Sequence, residues 1–453
     1  MRPLSDLSLF VLLLGLFGGL PILAQEGEKR SGQIRPVPAV GKGVVVIRAA
    51  RLIDGTGKEP ISNAVVVVTD NTITAVGSAG SVNVPAGARV IELGDATLLP
   101  GFIDAHTHII GRVLGDPDGE NAVVRDYESF GAVLGVGNAR DTLLSGFTTI
   151  RNVGVSGRFD DMALRKAINE GWIRGPRMQT AGHSLGITGG HCDTNGYRPG
   201  LLDRSIEAGI ANGPDQVRAS VRYQVKYGAD VIKTCATGGV LSEGDGVGTT
   251  QYSYEELKAM VDEATKLEVK VAAHAHGTEG IKIATRAGVA SIEHGSFLDA
   301  EGARLMAKQG TYMVPTLMAG EAVERAARTG VLKGQRAEKA QAAATAMRRA
   351  IKIAIANNVP IALGTDSGVI PHGTNAREFA LLVEWGGMTP MQAIVAGTMN
   401  GARLLGWDNK IGSLKVGKWA DIVAVPGDPL KDINRLQQTT FVMKDGVVYK
   451  SPQ

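Results

Sequence analysis

The sequence lacks several features that mark particular classes of protein. Two cysteines, Cys192 and Cys235, occur among 453 residues, which is too few for a disulfide framework. The 48 lysines and arginines nearly balance the 45 aspartates and glutamates, and no basic run occurs, so nucleic acid is not an expected partner. Aromatic residues make up 5% of the chain, which favours an aliphatic core. Beyond the first two dozen residues, no apolar run is long enough to span a membrane.

Residues 1–24 have the pattern of a signal peptide. Arg2 supplies a positive end, and the segment from Leu9 to Leu20 is almost wholly apolar but shorter than the roughly 20 residues of a membrane-spanning helix. Ile22-Leu23-Ala24 is a plausible cleavage site. The sequence therefore predicts an exported protein, periplasmic or secreted, with no membrane attachment after cleavage. An uncleaved anchor is the alternative.

The state of the two cysteines has two interpretations. An exported protein could pair them. However, Cys235 lies two residues after Lys233 in an apparent strand, which favours a buried free thiol.

Two β-rich ends flank a mixed middle segment. Residues 25–42 are polar and rich in glycine and proline, and we predict a tail there. Residues 43–98 contain short β-rich runs separated by turn residues, and residues 409–453 repeat this pattern, with Asp445-Gly446 as a hairpin turn. We predict that these two segments form one small β-sandwich domain.

Residues 99–408 alternate short apolar strands with helical stretches such as Tyr254–Leu267 and Ala322–Asn357. The eight candidate strands cover residues 101–106, 148–152, 177–181, 229–233, 269–274, 290–294, 311–315 and 360–366. Strands separated by helices indicate parallel βα units, and eight units indicate an α/β fold of the (β/α)8 TIM-barrel type. In such a barrel the reactive residues lie at the C-terminal ends of the strands.

Six polar side chains fall at those strand ends: His106, His108, Lys233, His274, His294 and Asp366. His106 and His108 are two residues apart, so both point the same way from a strand. Imidazole and carboxylate are ligands of Zn²⁺ and similar ions, and this set exceeds what one tetrahedral catalytic zinc needs. We therefore predict two divalent metal ions, with zinc as a suitable metal.

Two such ions need a bridging ligand. An ammonium group cannot bind a cation, but a Lys233 made neutral by burial and metal charge can react with CO2 to form an anionic carbamate. Each residue also has an ordinary explanation, since Lys233 could be a surface lysine and Asp366 could cap a helix. The two His-x-His pairs, 106/108 and 274/276, favour the metal centre when taken together with the other residues.

The sequence resembles the amidohydrolase superfamily, in its binuclear branch of imidazolonepropionase-like proteins. This branch includes Xaa-Pro and C-terminal dipeptidases and ochratoxin-degrading amidases. The resemblance covers nearly all of residues 43–450. The matching motifs are Leu99-Pro-Gly-Phe-Ile-Asp-Ala-His-Thr-His108, Ala229-Asp-Val-Ile-Lys233, Val271-Ala-Ala-His-Ala-His-Gly277, Ser291-Ile-Glu-His-Gly295, Leu363-Gly-Thr-Asp-Ser367 and Ile411-Gly-Ser-Leu-Lys-Val-Gly-Lys-Trp-Ala-Asp-Ile-Val423.

The resemblance implies a role for each residue of the predicted centre. His106 and His108 would bind one ion, His274 and His294 the other, and Lys233 would bridge them. Asp366 would bind one ion and act as general base and then general acid for a metal-bridging hydroxide. The implied substrate is a dipeptide or an N-acyl amino acid, with an ochratoxin-type amide as a further example.

Three more histidines are candidates for contact with the substrate. His183 and His191 flank the glycine-rich segment 186–190, where either could donate to an oxyanion or a substrate carboxylate. His276 shares its strand direction with His274, which predicts a supporting or substrate contact. An ordinary loop histidine is the alternative at each position.

Several other functions remain open at this stage. A deaminase on the same barrel would need one metal ion, but Lys233 and the position of Glu279 disfavour it. A hydrolase of cyclic amides or lactones and a non-catalytic binding protein are further alternatives. The expected partner is a small-molecule amide, and the resemblance implies a homo-oligomer, of which an octamer is one form.

Overall fold

The computed structural model describes residues 40–452, with the exception of residues 155–157 and 243. The predicted signal peptide 1–24 and most of the predicted tail 25–42 therefore lie outside the described residues. None of the helices in the described part of the chain is both long enough and apolar enough to cross a membrane.

The described residues form an α/β protein. Its strands are β1 (Val44–Leu52), β2 (Ile61–Thr69), β3 (Thr72–Ser78), β4 (Arg89–Glu92), β5 (Ala96–Pro100), β6 (Phe102–Thr107), β7 (Phe147–Asn152), β8 (Arg177–Thr180), β9 (Val231–Cys235), β10 (Lys270–Ala275), β11 (Ser291–His294), β12 (Tyr312–Val314), β13 (Ile422–Pro426), β14 (Phe441–Lys444) and β15 (Val447–Lys450). Its α-helices are α1 (Ala122–Arg125), α2 (Phe130–Leu144), α3 (Asp160–Asn169), α4 (Gly213–Lys226), α5 (Tyr254–Lys266), α6 (Thr278–Ala287), α7 (Ala300–Gln309), α8 (Leu317–Arg328), α9 (Gly334–Ala356), α10 (Arg377–Glu384), α11 (Pro390–Val395) and α12 (Gly401–Leu405).

Strands from both ends of the chain share one eight-stranded sheet, in the order β15-β14-β13-β5-β1-β2-β3 with β4 beside β1. β5 joins the two ends, because it pairs in parallel with β1 and antiparallel with β13. Alternating apolar residues of these strands, such as Ile47, Val66 and Phe441, pack together in one cluster. The sheet is attached to the middle of the chain by Arg177, which pairs with Asp421 and Asp445 at 3.2 and 2.7 Å.

The middle of the chain contains two parallel sheets. One has the order β6-β7-β8 and the other β12-β11-β10-β9. Isolated parallel bridges connect Leu185 to Thr234, Met313 to Ile361 and Thr107 to Ser367. Parallel strands separated by helices bury their apolar residues on both faces, as the fully buried β6 and β7 show.

Two predictions of secondary structure differ from this structure. The predicted strand 360–366 is held by isolated bridges at Ile361 and Ser367 and is not a ladder strand. Asp366 has a φ of 62°, which ends an extended conformation there. The predicted helical stretch Ala322–Asn357 is divided into α8 and α9. Gly330 lies between the two helices and Gly334 is the first residue of α9. Their φ values of 77° and 53° are positive, which a continuous right-handed helix excludes.

Cys192 and Cys235 form a disulfide, so the favoured prediction of a free thiol at Cys235 is wrong. The backbone of Leu185 pairs with β9, donating to the Lys233 carbonyl at 2.8 Å and accepting from Cys235 N–H at 2.9 Å. The chain that follows Leu185 therefore runs close to β9 and brings the two Cα atoms within 5.9 Å. The sequence carries no signal for this approach, because 43 residues separate the two cysteines.

Candidate metal centre

Side chains from β6, β9, β10 and β11 meet at the carboxyl ends of the parallel strands. Lys233 Nζ lies 3.4 Å from His106 Nε2. Asp366 Oδ1 lies 3.3 Å from His108 Nε2 and 3.6 Å from His106 Nε2. The His294 ring lies 4.6 Å from the His274 ring and 4.9 Å from the His106 ring, measured between centroids. All six residues predicted as ligands are thus brought to one place.

The described residues include two groups of three candidate ligand atoms, and within each group the atoms all lie within 4.8 Å of one another. One group contains His274, His276 and His294, and the other contains His106, His294 and Asp366. His294 belongs to both groups. His108 and Lys233 fall outside these triads but contact Asp366 and His106. His276, predicted to make a supporting or substrate contact, lies with the candidate ligands.

Hydrogen bonds to Nδ1 orient three of the imidazoles. Nδ1 lies 2.7 Å from Glu293 Oε2 in His106, 2.6 Å from Ser296 Oγ in His276, and 2.7 Å from Thr316 Oγ1 in His294. Such partners fix the ring and leave Nε2 as the free donor atom towards the centre, which is the usual support of metal-binding histidines.

Burial keeps these imidazoles neutral. Burial lowers the pKa of His106, His274 and His294 well below the ordinary value, and the positive charge of neighbouring groups lowers it further. Burial likewise lowers the pKa of His108 and His276 to about 3. A neutral imidazole is the form that binds metal ions. Burial also lowers the pKa of Lys233 and raises that of Asp366, so both groups are shifted towards their neutral forms.

Sequence reasoning missed the residues that support the centre. Glu293 is fully buried and accepts from Arg151 Nη2 at 2.8 Å in addition to its contact with His106. Arg151 is 1% exposed and also donates to the Ala105 carbonyl at 2.6 Å. The available signal was a charged residue inside a short apolar strand: Glu293 lies in Ser291-Ile-Glu-His-Gly295, and Arg151 lies in β7.

A cavity of about 1670 Å³ opens over the centre. The His191 ring lines it and stacks on the His274 ring at 4.2 Å between centroids. A Cβ atom on Gly239 would stand 2.1 Å from His191 Cε1, so only glycine leaves room for this ring. His183 also lines the cavity, and its ring lies 5.2 Å from the Phe159 ring, measured between centroids. Burial lowers the pKa of His191 to about 4, so it is a neutral donor at physiological pH.

Comparisons with known proteins agree with this arrangement. The sequence profile of the Amidohydrolase family matches residues 97–449. Ochratoxinase of Aspergillus niger is 36% identical over 435 residues, which cover 90% of this chain and 87% of that protein. A solved Xaa-Pro dipeptidase with methionine bound in its active site has a TM-score of 0.86 and 40% identity, with 90% of this chain and 100% of that chain covered.

A relative of lower sequence identity is similar over a comparable share of the chain. Imidazolonepropionase of Haloarcula marismortui is 25% identical over 461 residues, covering 91% of this chain and 96% of that protein. The similarity to these proteins therefore runs over nearly their whole length and over the strands that carry the candidate ligands. The chain belongs to the amidohydrolase family, and it is a hydrolase that acts on amide bonds.

Proposed function

We propose that the protein is a two-metal hydrolase that cleaves the amide bond of a dipeptide or an N-acyl amino acid. The observation that carries this proposal is the set of neutral, buried imidazoles gathered with Asp366 and Lys233 on the wall of one cavity. Two of the relatives named above are an ochratoxinase and a Xaa-Pro dipeptidase. An ochratoxin-type amide is therefore one candidate substrate.

The donor set fits a pair of divalent ions. His106, His108 and Asp366 would hold one ion, and His274 and His294 the other, with Lys233 between them. The Nδ1 partners of His106 and His294 support the fit, because they leave Nε2 free for a metal ion. Nitrogen and carboxylate ligands suit Zn²⁺. His276 is a further candidate ligand of the second ion, because it lies with His274 and His294.

Lys233 would act as the bridging carbamate. Its side chain is 3% exposed, and burial lowers its pKa, which raises the neutral fraction of the amine. The neutral amine adds to the carbon of CO2, and the nitrogen releases one proton, so that the lysine gains an anionic carboxylate. This group has two oxygens, enough for one towards each ion.

The metal ions, when bound, lower the pKa of a water molecule to about 7 and polarise the scissile carbonyl. Asp366 Oδ1, which lies 3.6 Å from His106 Nε2 and 3.3 Å from His108 Nε2, would accept a proton from the attacking water and return it to the leaving amine. His191 donates to the developing oxyanion or to the substrate carboxylate from its place beside His274. His183, which lines the same cavity, supplies a further polar contact.

A cationic group in the cavity supports a substrate with a free carboxylate. Arg204 lines the cavity. Within the described part of the chain, the opposite charge of Asp193 acts on Arg204, but no hydrogen bond joins the two side chains. Burial lowers the pKa of Arg204, so its charge is poorly solvated and favours an anionic ligand. Glu279, by contrast, does not line the cavity: it is 69% exposed and pairs with Lys282, which disfavours the deaminase.

The finer architecture remains part of the proposal. We propose a (β/α)8 barrel over 99–408 and a β-sandwich from 43–98 and 409–453. Two observations support this division: the isolated bridges that join strands of the parallel sheets to Leu185, Ile361 and Ser367, and the sheet shared by both chain ends. Export through residues 1–24 and assembly into a homo-oligomer stay predictions.

A substrate panel on zinc-loaded protein tests the function. Dipeptides, N-acyl amino acids and ochratoxin should be hydrolysed, and elemental analysis should find about two metal ions per chain. Asp366→Asn should keep its fold and lose at least ~100-fold in kcat, because it cannot carry the proton. The control Asp262→Asn alters an exposed residue of α5 and should keep full activity.

Three results would contradict the proposal. Hydrolysis of cyclic imides or lactones alone would favour a cyclic amide hydrolase. One metal ion per chain together with deamination would favour the deaminase. Full turnover by a folded, metal-loaded Asp366→Asn protein would remove the proton-transfer role.

A further inference from the structure

Each cysteine of the Cys192–Cys235 disulfide is close to His274 or to a residue that contacts it. Cys235 is the Cα partner of His274 in the ladder between β9 and β10. Cys192 directly follows His191, whose ring stacks on the His274 ring at 4.2 Å. Both half-cystines line the cavity over the metal centre. The cross-link therefore ties the residue next to His191 to the strand that carries Lys233.

Besides the disulfide, the segment that carries His191 is held by hydrogen bonds, among them those from Gly186 N–H to the Gly209 carbonyl at 3.0 Å and from Thr188 N–H to Asn212 Oδ1 at 3.2 Å. Its first end is fixed, because Leu185 pairs with β9. The glycine-rich residues 186–190 then follow, with Gly189 at a φ of 73°, and glycine leaves the backbone wide conformational freedom. The backbone N–H of His191 donates to Gln251 Oε1 at 3.1 Å.

Within the described part of the chain, no hydrogen bond fixes the Nδ1 side of the His191 imidazole. Its Nδ1 is buried and has no hydrogen-bond partner among the residues that the structure describes. The ring is placed by its stacking on His274, by the space over Gly239 and by the backbone on either side. The disulfide is the covalent part of that placement.

We propose that the Cys192–Cys235 disulfide is a positioning cross-link that holds His191 against His274, and that breaking it lowers the rate of amide hydrolysis. The inference rests on the proposed function, since turnover is one of its readouts. A trialkylphosphine would break the bond: phosphorus attacks one sulfur, the S–S bond breaks, and water supplies the oxygen of the phosphine oxide and the two protons of the thiols. The phosphine is oxidised, and the disulfide is reduced by two electrons.

The test uses the zinc-loaded full chain treated with a water-soluble trialkylphosphine, because a dithiol would chelate the metal. A chromogenic thiol reagent counts the thiols, and elemental analysis counts the metal. We expect two thiols, unchanged metal content and a fall in kcat of about tenfold, since small displacements of a catalytic group cost up to roughly 100-fold. Reoxidation should restore kcat. Complete reduction with unchanged kcat and KM would overturn the proposal.

Two variants separate positioning from simple stabilisation. Cys192→Ser combined with Cys235→Ser should show the same fall in kcat and no response to the phosphine. In His191→Ala, reduction of the disulfide should lower kcat by less than about twofold, because the effects of residues that act through one another are not additive. If the disulfide only stabilises the fold, its loss should lower Tm and leave kcat unchanged below the unfolding temperature, and that result would contradict the proposal.

Hydrogen–deuterium exchange gives a readout that does not need turnover. Peptides from residues 186–195 should exchange faster after reduction, while peptides from α5 should not change. Equal exchange of these peptides before and after complete reduction would contradict the proposal that the disulfide holds this segment in place. Absence of turnover on every amide before treatment would contradict the proposed function, and faster exchange of 186–195 would still support the cross-link.

Discussion

The Glu293→Gln substitution tests how the centre is supported. Glu293 accepts from Arg151 and Ser291 through Oε1 and faces His106 Nδ1 through Oε2. A glutamine has one acceptor oxygen, so its NH2 group must face one of these partners. If it faces His106, it donates to Nδ1, and the imidazole must carry its proton on Nε2, which points at the centre. The ring can then no longer bind a metal ion through Nε2.

Two magnitudes follow from this geometry. Loss of a carboxylate partner of a metal-binding histidine costs 10- to 100-fold in metal affinity, which is about 1.4 to 2.7 kcal/mol. Arg151 is also left without its buried negative partner, and breaking such a pair costs roughly 3–5 kcal/mol of folding stability. The full exclusion of Glu293 and Arg151 from solvent places the change at the upper end of both ranges.

Competition with a chromogenic chelator measures the metal affinity, and calorimetry of the metal-free protein measures the stability. Glu263→Gln is the matched control, because Glu263 of α5 is buried and pairs with Arg222 of α4 at 2.7 Å. The control should keep the metal affinity of the unmodified protein. Equal metal affinities in Glu293→Gln and in the control would refute the orienting role of Glu293.

Three further predictions concern the candidate centre and a buried lysine of β14. Thr316→Val removes the hydroxyl at 2.7 Å from His294 Nδ1 and should weaken metal binding by about tenfold in the same competition assay, while an unchanged affinity would contradict this role. Burial lowers the pKa of Lys444 from 10.5 to about 8, so the folded chain binds fewer protons than the unfolded chain between these values. We therefore expect the free energy of unfolding, measured by denaturant titration, to rise by about 3 kcal/mol from pH 8 to 10.5 relative to that of the Lys444→Met variant. If the unfolding free energies of the two proteins change equally with pH, this prediction is wrong. Removal of metal by a chelator should lower Tm, because an ion at 100 times its Kd adds about 2.7 kcal/mol, and an equal Tm with and without metal would argue against a folded-state site.

Much of the fold follows from local patterns in the sequence. The runs ending at His106, Asn152 and His294 are apolar, short and separated by helical stretches, and the structure has strands there. Strand periodicity also aims His106 and His108 in one direction. The ends of strands are less certain, because hydrogen bonds to a neighbour decide where a ladder stops, and residues 360–366 contain an apolar run without forming such a ladder.

The disulfide and the supporting residues could not be predicted in this way. Glu293 lies 187 positions from His106, and Thr316 lies 22 positions from His294. No local pattern relates residues at such separations, because their contact depends on how the strands are arranged in space. Cys192 meets Cys235 after the pairing of Leu185 with β9 brings the two segments together.

The sequence by itself determined which side chains are chemically suited to a metal centre, and it placed them at strand ends, since residue type and strand period are local properties. The tertiary structure decided how those side chains are used. It buried the imidazoles and thereby kept them neutral, it gave His106 the carboxylate of Glu293, and it brought His191 over His274 through a glycine-rich loop. Burial and contact are properties of the packed chain, so they arise only when distant segments meet.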